Sequence, residues 1–142
     1  MIIPPESAEL TIPIRDSTDI LRARGSAREL AARLKLGSAD QTRLATAVSE
    51  LTRNILQYAG EGACTIINAS DERRLCIRVI VEDHGPGIPD IDLALQDGYS
   101  TGGGLGAGLP GVQRLMNEFH LSSQPGHTCL TIAMIRPRTL FT

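Results

Sequence analysis

Between residues 98 and 108, six of eleven positions are glycine. Each glycine gives up more backbone freedom on ordering than any other residue, so this stretch predicts neither helix nor strand. The hydrophobic core must therefore come from the segments on either side. The run itself reads as a mobile lid opening into a helix that starts near Leu109. Successive backbone N–H groups in such a segment, continued by those at a helix N-terminus, make a cradle for phosphate groups. The candidate residues are Gly102, Gly103, Gly104, Leu105, Gly106, Ala107 and Gly108. Lys35 is the only lysine and no Gly-Lys-[Ser/Thr] occurs, so the cradle is not a Walker P-loop.

Two further patterns precede the glycine run, in a fixed order. In Asp83-x-Gly85-x-Gly87 the residues before the aspartate read as a strand over 75–83, in which Leu75, Ile77, Val79, Val81 and Asp83 share one face. The carboxylate thus points to the core side, where it needs a ligand, a water or a polar neighbour. Gly85 and Gly87, lacking Cβ, let the chain turn sharply and let a planar ligand approach. A carboxylate there can accept from the exocyclic amino group of adenine, a donor that guanine does not present at that position. The pattern therefore predicts ATP over GTP. In Glu50-x-x-x-Asn54 the two side chains fall about 40° apart on one flank of a helix whose apolar stripe is Leu44, Val48, Leu51, Ile55 and Tyr58. Taken alone, Glu-x-x-x-Asn is a common solvated helix flank and Asp-x-Gly-x-Gly a common strand-to-turn connection. Their order with the glycine run is what points to a nucleotide site.

The remaining elements follow from periodicity and punctuation. Residues 10–14 alternate like a short strand with Pro13 suited to an edge. Asp16 or Ser17 caps a helix carrying Ile20, Ala23, Ala27, Leu30, Ala31 and Leu34, with Gly37 as its C-terminal cap. Ser38 with Gln41 reads as a capping box opening the second helix, which runs to about Tyr58 with Gly60 beyond it. A strand over 63–69 pairs antiparallel with 75–83. A short helix through Leu95, a helix over 109–119, and strands over 121–123 and 128–135 turning at Pro125-Gly126 complete the chain. The fold class is α+β: a mixed, mostly antiparallel sheet of about five strands with helices on one face, forming a single domain over 10–136 with tails at 1–9 and 137–142.

Several function classes are excluded by composition. The net charge is -2 and the basic residues are scattered, so no footprint for nucleic acid is present. No apolar stretch approaches the ~20 residues that span a bilayer, and 1–5 lack the features of a signal peptide, which predicts no membrane contact and a cytoplasmic location. Cys64, Cys76 and Cys129 form no C-x-x-C pair, and His84, His120 and His127 are spread apart, so neither disulfide framework nor zinc site is indicated.

The three patterns together resemble the GHKL ATPase and kinase superfamily of gyrase, Hsp90, histidine kinases and MutL, with its Bergerat fold, a two-layer α/β sandwich. Glu50-Leu51-Thr52-Arg53-Asn54 is similar to the N box, Asp83-His84-Gly85-Pro86-Gly87 to the G1 box, and Gly104-Leu105-Gly106-Ala107-Gly108 to the G2 box. The stretch from Glu82 to Asp90 and the lid through Val112 resemble the RsbT-like serine/threonine switch kinases of stressosomes. The resemblance implies that Asn54 coordinates Mg²⁺, that Glu50 is the general base of phosphoryl transfer, and that Thr128 helps Asp83 bind adenine. His84 and His127 depart from the family's usual residues. The histidine-kinase branch adds a phosphoacceptor helix, and the gyrase, Hsp90 and MutL branches a transducer domain, for which 142 residues leave no room. The expectation is thus an ATP-dependent kinase acting on a STAS-domain protein (RsbS/RsbR-like) and activating a PP2C-type phosphatase (RsbU/RsbX-like). The alternatives are an anti-sigma factor that sequesters a sigma subunit, and a non-catalytic nucleotide-gated adaptor, against which an intact Glu50 argues.

Overall fold

The computed structural model describes residues 9–88, 95 and 108–138. Chain order is β1 (Glu9–Ile14), α1 (Ser17–Arg33), α2 (Ser38–Tyr58), β2 (Gly62–Asn68), β3 (Arg74–Asp83), α3 (Gly108–Leu115), β4 (Glu118–Gln124) and β5 (His127–Pro137). The short helix expected through Leu95 and the lid residues Gly102 to Ala107 lie outside the described residues.

The strands form one sheet in the order β1-β2-β3-β5-β4. All four pairings are antiparallel, so the parallel component of the expected mixed sheet is absent among the described strands. Alternation decides what each strand buries. Ile12 and Ile14, Cys64 and Ile66, Ile77, Val79 and Val81, and Leu130, Ile132 and Met134 are buried in the same core as the inner residues of the helices. Fully withdrawing one such side chain from water contributes about 1.5–3 kcal/mol. Burial pushes the Cys64 thiol up to about 12, which fits a small apolar residue and not a nucleophile.

α1 starts where the sequence predicts: the Asp16 carboxylate accepts from the N–H of Thr18 (2.9 Å) and Asp19 (3.2 Å), and Asp19 accepts in return from Arg15 and Asp16. Its buried Ala23, Ala27 and Ala31 recur every four residues and form a narrow stripe that lets α2 lie close alongside. The junction with α2 differs from expectation. α1 closes at Leu34, and Lys35 rather than a glycine takes the left-handed conformation, φ 66. The Leu36 N–H reaches Ala31 O and the Lys35 N–H reaches Ala32 O, the paired bonds of a Schellman motif, with Leu36 buried behind it. This uses up the linker, so Gly37 is the N-cap of α2 and Ser38 is already helical. No side-chain cap forms, and the Gln41 amide instead donates to Leu36 O at 3.0 Å.

The start of α2 is tied to the last strand. Arg136 grips Asp40 with two bonds of 2.9 Å, and its other terminal nitrogen donates to Asn117 Oδ1. The Arg136 guanidinium holds the Asp40 carboxyl below its ordinary value, partly offset by burial. Asn117 also marks where α3 fails to reach the predicted residue 119. Its N–H bonds Ala133 O and its side chain accepts from Ile135 N–H, so residues 118–124 pair with β5. Met116 and Phe119 sit three apart and suit a helix face, but strand pairing prevails over that local signal.

Two stability measurements follow. A lysine at positive φ carries a steric penalty that glycine lacks, so Lys35→Gly should raise unfolding free energy by about 0.5–1 kcal/mol in urea titration. A carboxyl with a depressed folded pKa contributes stability that is present above its unfolded value of about 3.9 and is lost as pH falls through the folded one. Melting temperature should therefore fall less steeply below pH 4 in Asp40→Asn than in the unsubstituted protein, from a lower starting point at pH 7.

Candidate active site

Antiparallel register places four residues in one row at the end of the sheet. Gly62 stands opposite Asp83, Asp83 opposite Thr128, and Thr128 opposite Ser123, so the row crosses β2, β3, β5 and β4. Alternation puts Asp83 on the face of Val81 and Val79, as the sequence predicts, and it is half-buried. One carboxylate oxygen, Oδ1, accepts the Gly85 N–H at 2.9 Å. Oδ2 accepts no hydrogen bond among the described residues and is left for a ligand donor. On β4 and β5 the hydroxyls of Ser123 and Thr128 lie 2.7 Å apart, and Ser123 Oγ also accepts the Ile88 N–H at 2.8 Å.

The glycines earn their positions by packing. A Cβ on Gly85 would lie 2.6 Å from Ala59 Cβ, and one on Gly87, which has φ 89, would lie 2.7 Å from Gln124 O. The turn after β3 is thus wedged between the end of α2 and the β4–β5 hairpin, and the Gly126 N–H donates to Gly85 O to close it. The space these glycines free is filled by protein, where the sequence had suggested the approach of a planar ligand. Gly62, which the sequence reading missed, belongs to the same fit: a Cβ there would collide with Glu82 O and approach Ile55 Cγ2 to 2.8 Å. Its signal was faint, a glycine beginning a strand directly after the Gly60-Glu61 turn.

α2 passes over this end of the sheet through Ile55 and Ala59, and carries Glu50 and Asn54 on one flank. Glu50 is only 15% exposed and its Oε1 lies 3.3 Å from Nη1 of Arg53, which is 52% exposed. Arg53 is exposed, and its reach of three residues along the helix brings it to Glu50. Asn54 is half-buried and its amide makes no hydrogen bond among the described residues. A neutral oxygen donor of this kind suits a hard cation whose other ligands are phosphate and water. No group of three or more His, Cys, Asp or Glu that could hold a metal occurs among the described residues. Of the glycine-run candidates only Gly108 is described. It has φ 68 and opens α3, whose Leu109 and Val112 are buried in the common core.

His84 and His127, the two departures from the family pattern, stand together. Their ring centroids are 5.4 Å apart, His127 Nε2 lies 3.2 Å from Glu82 Oε2, and His84 Nδ1 lies 3.3 Å from Gly126 O. Glu82 alternates with Asp83, so this cluster is on the opposite face of the sheet from the Asp83 carboxylate.

The comparisons with known proteins bear on the family and the fold. Residues 39–138 match the family model described as histidine kinase-, DNA gyrase B- and HSP90-like ATPase. The chain is 50% identical over 115 residues to the serine/threonine-protein kinase RsbT of Bacillus subtilis, covering 81% of this chain and 86% of that protein. Its fold is similar to the crystal structure of the RsbU and RsbW domains of a Mycobacterium tuberculosis protein, with TM-score 0.63 and 19% identity over 95% of this chain, which spans 35% of that one. It is also similar to the Pseudomonas aeruginosa SiaB-SiaC complex structure, with TM-score 0.57 and 15% identity over 91% of this chain and 89% of that one.

The packing of the turn is directly testable. Gly85→Ala forces a methyl against Ala59 and should cost about 1–3 kcal/mol of stability by denaturant unfolding, the range for overpacking. The paired Ala59→Gly substitution should recover part of that loss.

Proposed function

The chain belongs to the histidine kinase-, DNA gyrase B- and HSP90-like ATPase family and, within it, to the RsbT-type serine/threonine-protein kinases, and on that premise we propose that it transfers the γ-phosphoryl group of ATP to a serine or threonine of a STAS-domain antagonist in a partner-switching module. The observation that carries the reading is a core-facing Asp83 opposite Thr128 at the end of the sheet where Ile55 and Ala59 of α2 pack, the same helix carrying Glu50 and Asn54 on one flank. In this reading the Asp83 carboxylate accepts from the adenine amino group and Thr128 supplies the neighbouring polar contact. Asn54 holds Mg²⁺, which when bound neutralises charge on the phosphate oxygens. By its sequence, the run from Gly102 to Gly108 is the proposed phosphate-binding segment.

Glu50 supplies the proton chemistry. Its carboxylate accepts the proton of the substrate hydroxyl while that oxygen forms its bond to the γ-phosphorus and the β–γ bridging bond breaks, leaving ADP. Such a transfer needs a base that is neither fully buried nor freely tumbling, and Glu50 fits both conditions through its 15% exposure and its contact with Arg53. Release of the phosphorylated antagonist would free the kinase to bind and activate a PP2C-type phosphatase. No helix among the described residues is long and apolar enough to cross a membrane.

The reading is tested by ³²P transfer from ATP to the STAS-domain protein and by calorimetry. Glu50→Ala should reduce transfer about 100-fold or more while ATP still binds, and Asn54→Ala should abolish Mg²⁺-dependent transfer in a folded protein. Asp83→Asn should weaken ATP binding by about 1.5–3 kcal/mol. Capture of a sigma subunit with no phosphoryl transfer to any STAS protein would instead identify an anti-sigma factor.

A further inference from the structure

We propose that Ser123 is a positioning residue that fixes the hydrogen-bond polarity of Thr128, and through it the choice of adenine over guanine. The inference rests on reading the Asp83 end of the sheet as the base site. Ser123 Oγ accepts the Ile88 N–H at 2.8 Å and stands 2.7 Å from Thr128 Oγ1. Each hydroxyl has one proton to give. If Thr128 gave its proton to Ser123, it would face the adjacent Asp83 carboxylate with lone pairs alone. If Ser123 donates to Thr128, the proton left over is that of Thr128, on the strand opposite Asp83, where a carboxylate favours a facing donor over facing lone pairs. The Ile88 N–H points to Ser123, the Ser123 hydroxyl to Thr128, and the Thr128 hydroxyl into the space beside Asp83, each bond polarising the next.

The consequence is a fixed pair of an acceptor and a donor. Asp83 Oδ2 remains an acceptor because Oδ1 is held by the Gly85 N–H, and Thr128, opposite it in the register, is a donor. Adenine offers the complement, an amino donor flanked by ring nitrogens that accept. Guanine places a carbonyl acceptor where adenine has its amino group, and an N–H donor at the adjoining ring nitrogen on one side. Selectivity would then come from three strands acting together: β3 gives the acceptor, β5 the donor and β4 the residue that orients the donor.

The test is calorimetry on the full chain with ATP, GTP, 1-deaza-ATP and 7-deaza-ATP, the last two each lacking one ring nitrogen beside the amino group. In the unsubstituted protein one deaza analogue should bind less well than ATP. Ser123→Ala should weaken ATP about threefold to tenfold, the effect of one neutral hydrogen bond, should leave affinity for that same analogue unchanged, and should narrow the preference over GTP. Ser123→Thr, which keeps the hydroxyl on a strand, should retain the selectivity. An equal loss for all four nucleotides in Ser123→Ala, no loss for ATP, or an unsubstituted protein that binds both deaza analogues as well as ATP would overturn the inference. Asp83→Asn run alongside separates the two levels. If ATP affinity ignores Asp83, the base site itself is misplaced. If it responds to Asp83 while Ser123→Ala shows no base-selective loss, only the role of Ser123 fails.

Discussion

Asp83 ends the central strand on the face that Val79 and Val81 bury, and a carboxylate so placed must be solvated or hydrogen-bonded or the strand could not close the core. The chain answers with the turn that follows. The Gly85 N–H folds back onto Oδ1, and this requires a backbone that passes too close to Ala59 and the β4–β5 hairpin for any side chain at Gly85 or Gly87. One half-buried charge thus dictates two glycines, the approach of α2 and the seating of a hairpin. It also leaves one oxygen over, and that surplus acceptor is the basis of the proposed nucleotide site.

The antiparallel register converts this local need into a site. Because Asp83 pairs with Thr128 and Thr128 with Ser123, polar groups separated by up to 45 residues in sequence stand in one row, and the same row ends in Gly62 on the other side. The register has little freedom to slip, since a shift of one residue would turn Ile77, Val79 and Val81 out of the core. The Arg136–Asp40 pair and Asn117 hold β5 against the start of α2 and against the segment after α3. Site geometry is in this sense a by-product of core packing.

Much of this was legible in the sequence, for identifiable reasons. Strand parity alone put Asp83 on the core side, and helix periodicity put Glu50 and Asn54 on one flank of α2. The misses share a cause, which is that they are settled by groups distant in sequence. Lys35 accepts an unfavourable backbone conformation because Leu36 is buried when it does, so Gly37 is displaced from a C-cap to an N-cap. Phe119 leaves the helix because β5 offers its backbone a ladder. Gly62 and Ser123 carry no motif of their own; their meaning comes only from standing opposite Asp83 and Thr128.

The contact between Glu50 and Arg53 bears on how the proposed base could work. An ion pair whose arginine lies in solvent contributes only about 0–1 kcal/mol, because water competes for the guanidinium and the arginine loses freedom. Arg53 therefore biases the position of Glu50 without locking it. A base must meet a hydroxyl brought by another protein, so a tightly buried pair would oppose the encounter it serves: separating it would leave an uncompensated charge costing several kcal/mol. The Asp40–Arg136 pair shows the contrast within the same helix. It has two bonds of 2.9 Å and ties α2 to β5. Binding groups and structural groups on α2 thus differ less in residue type than in how firmly the surrounding fold holds them.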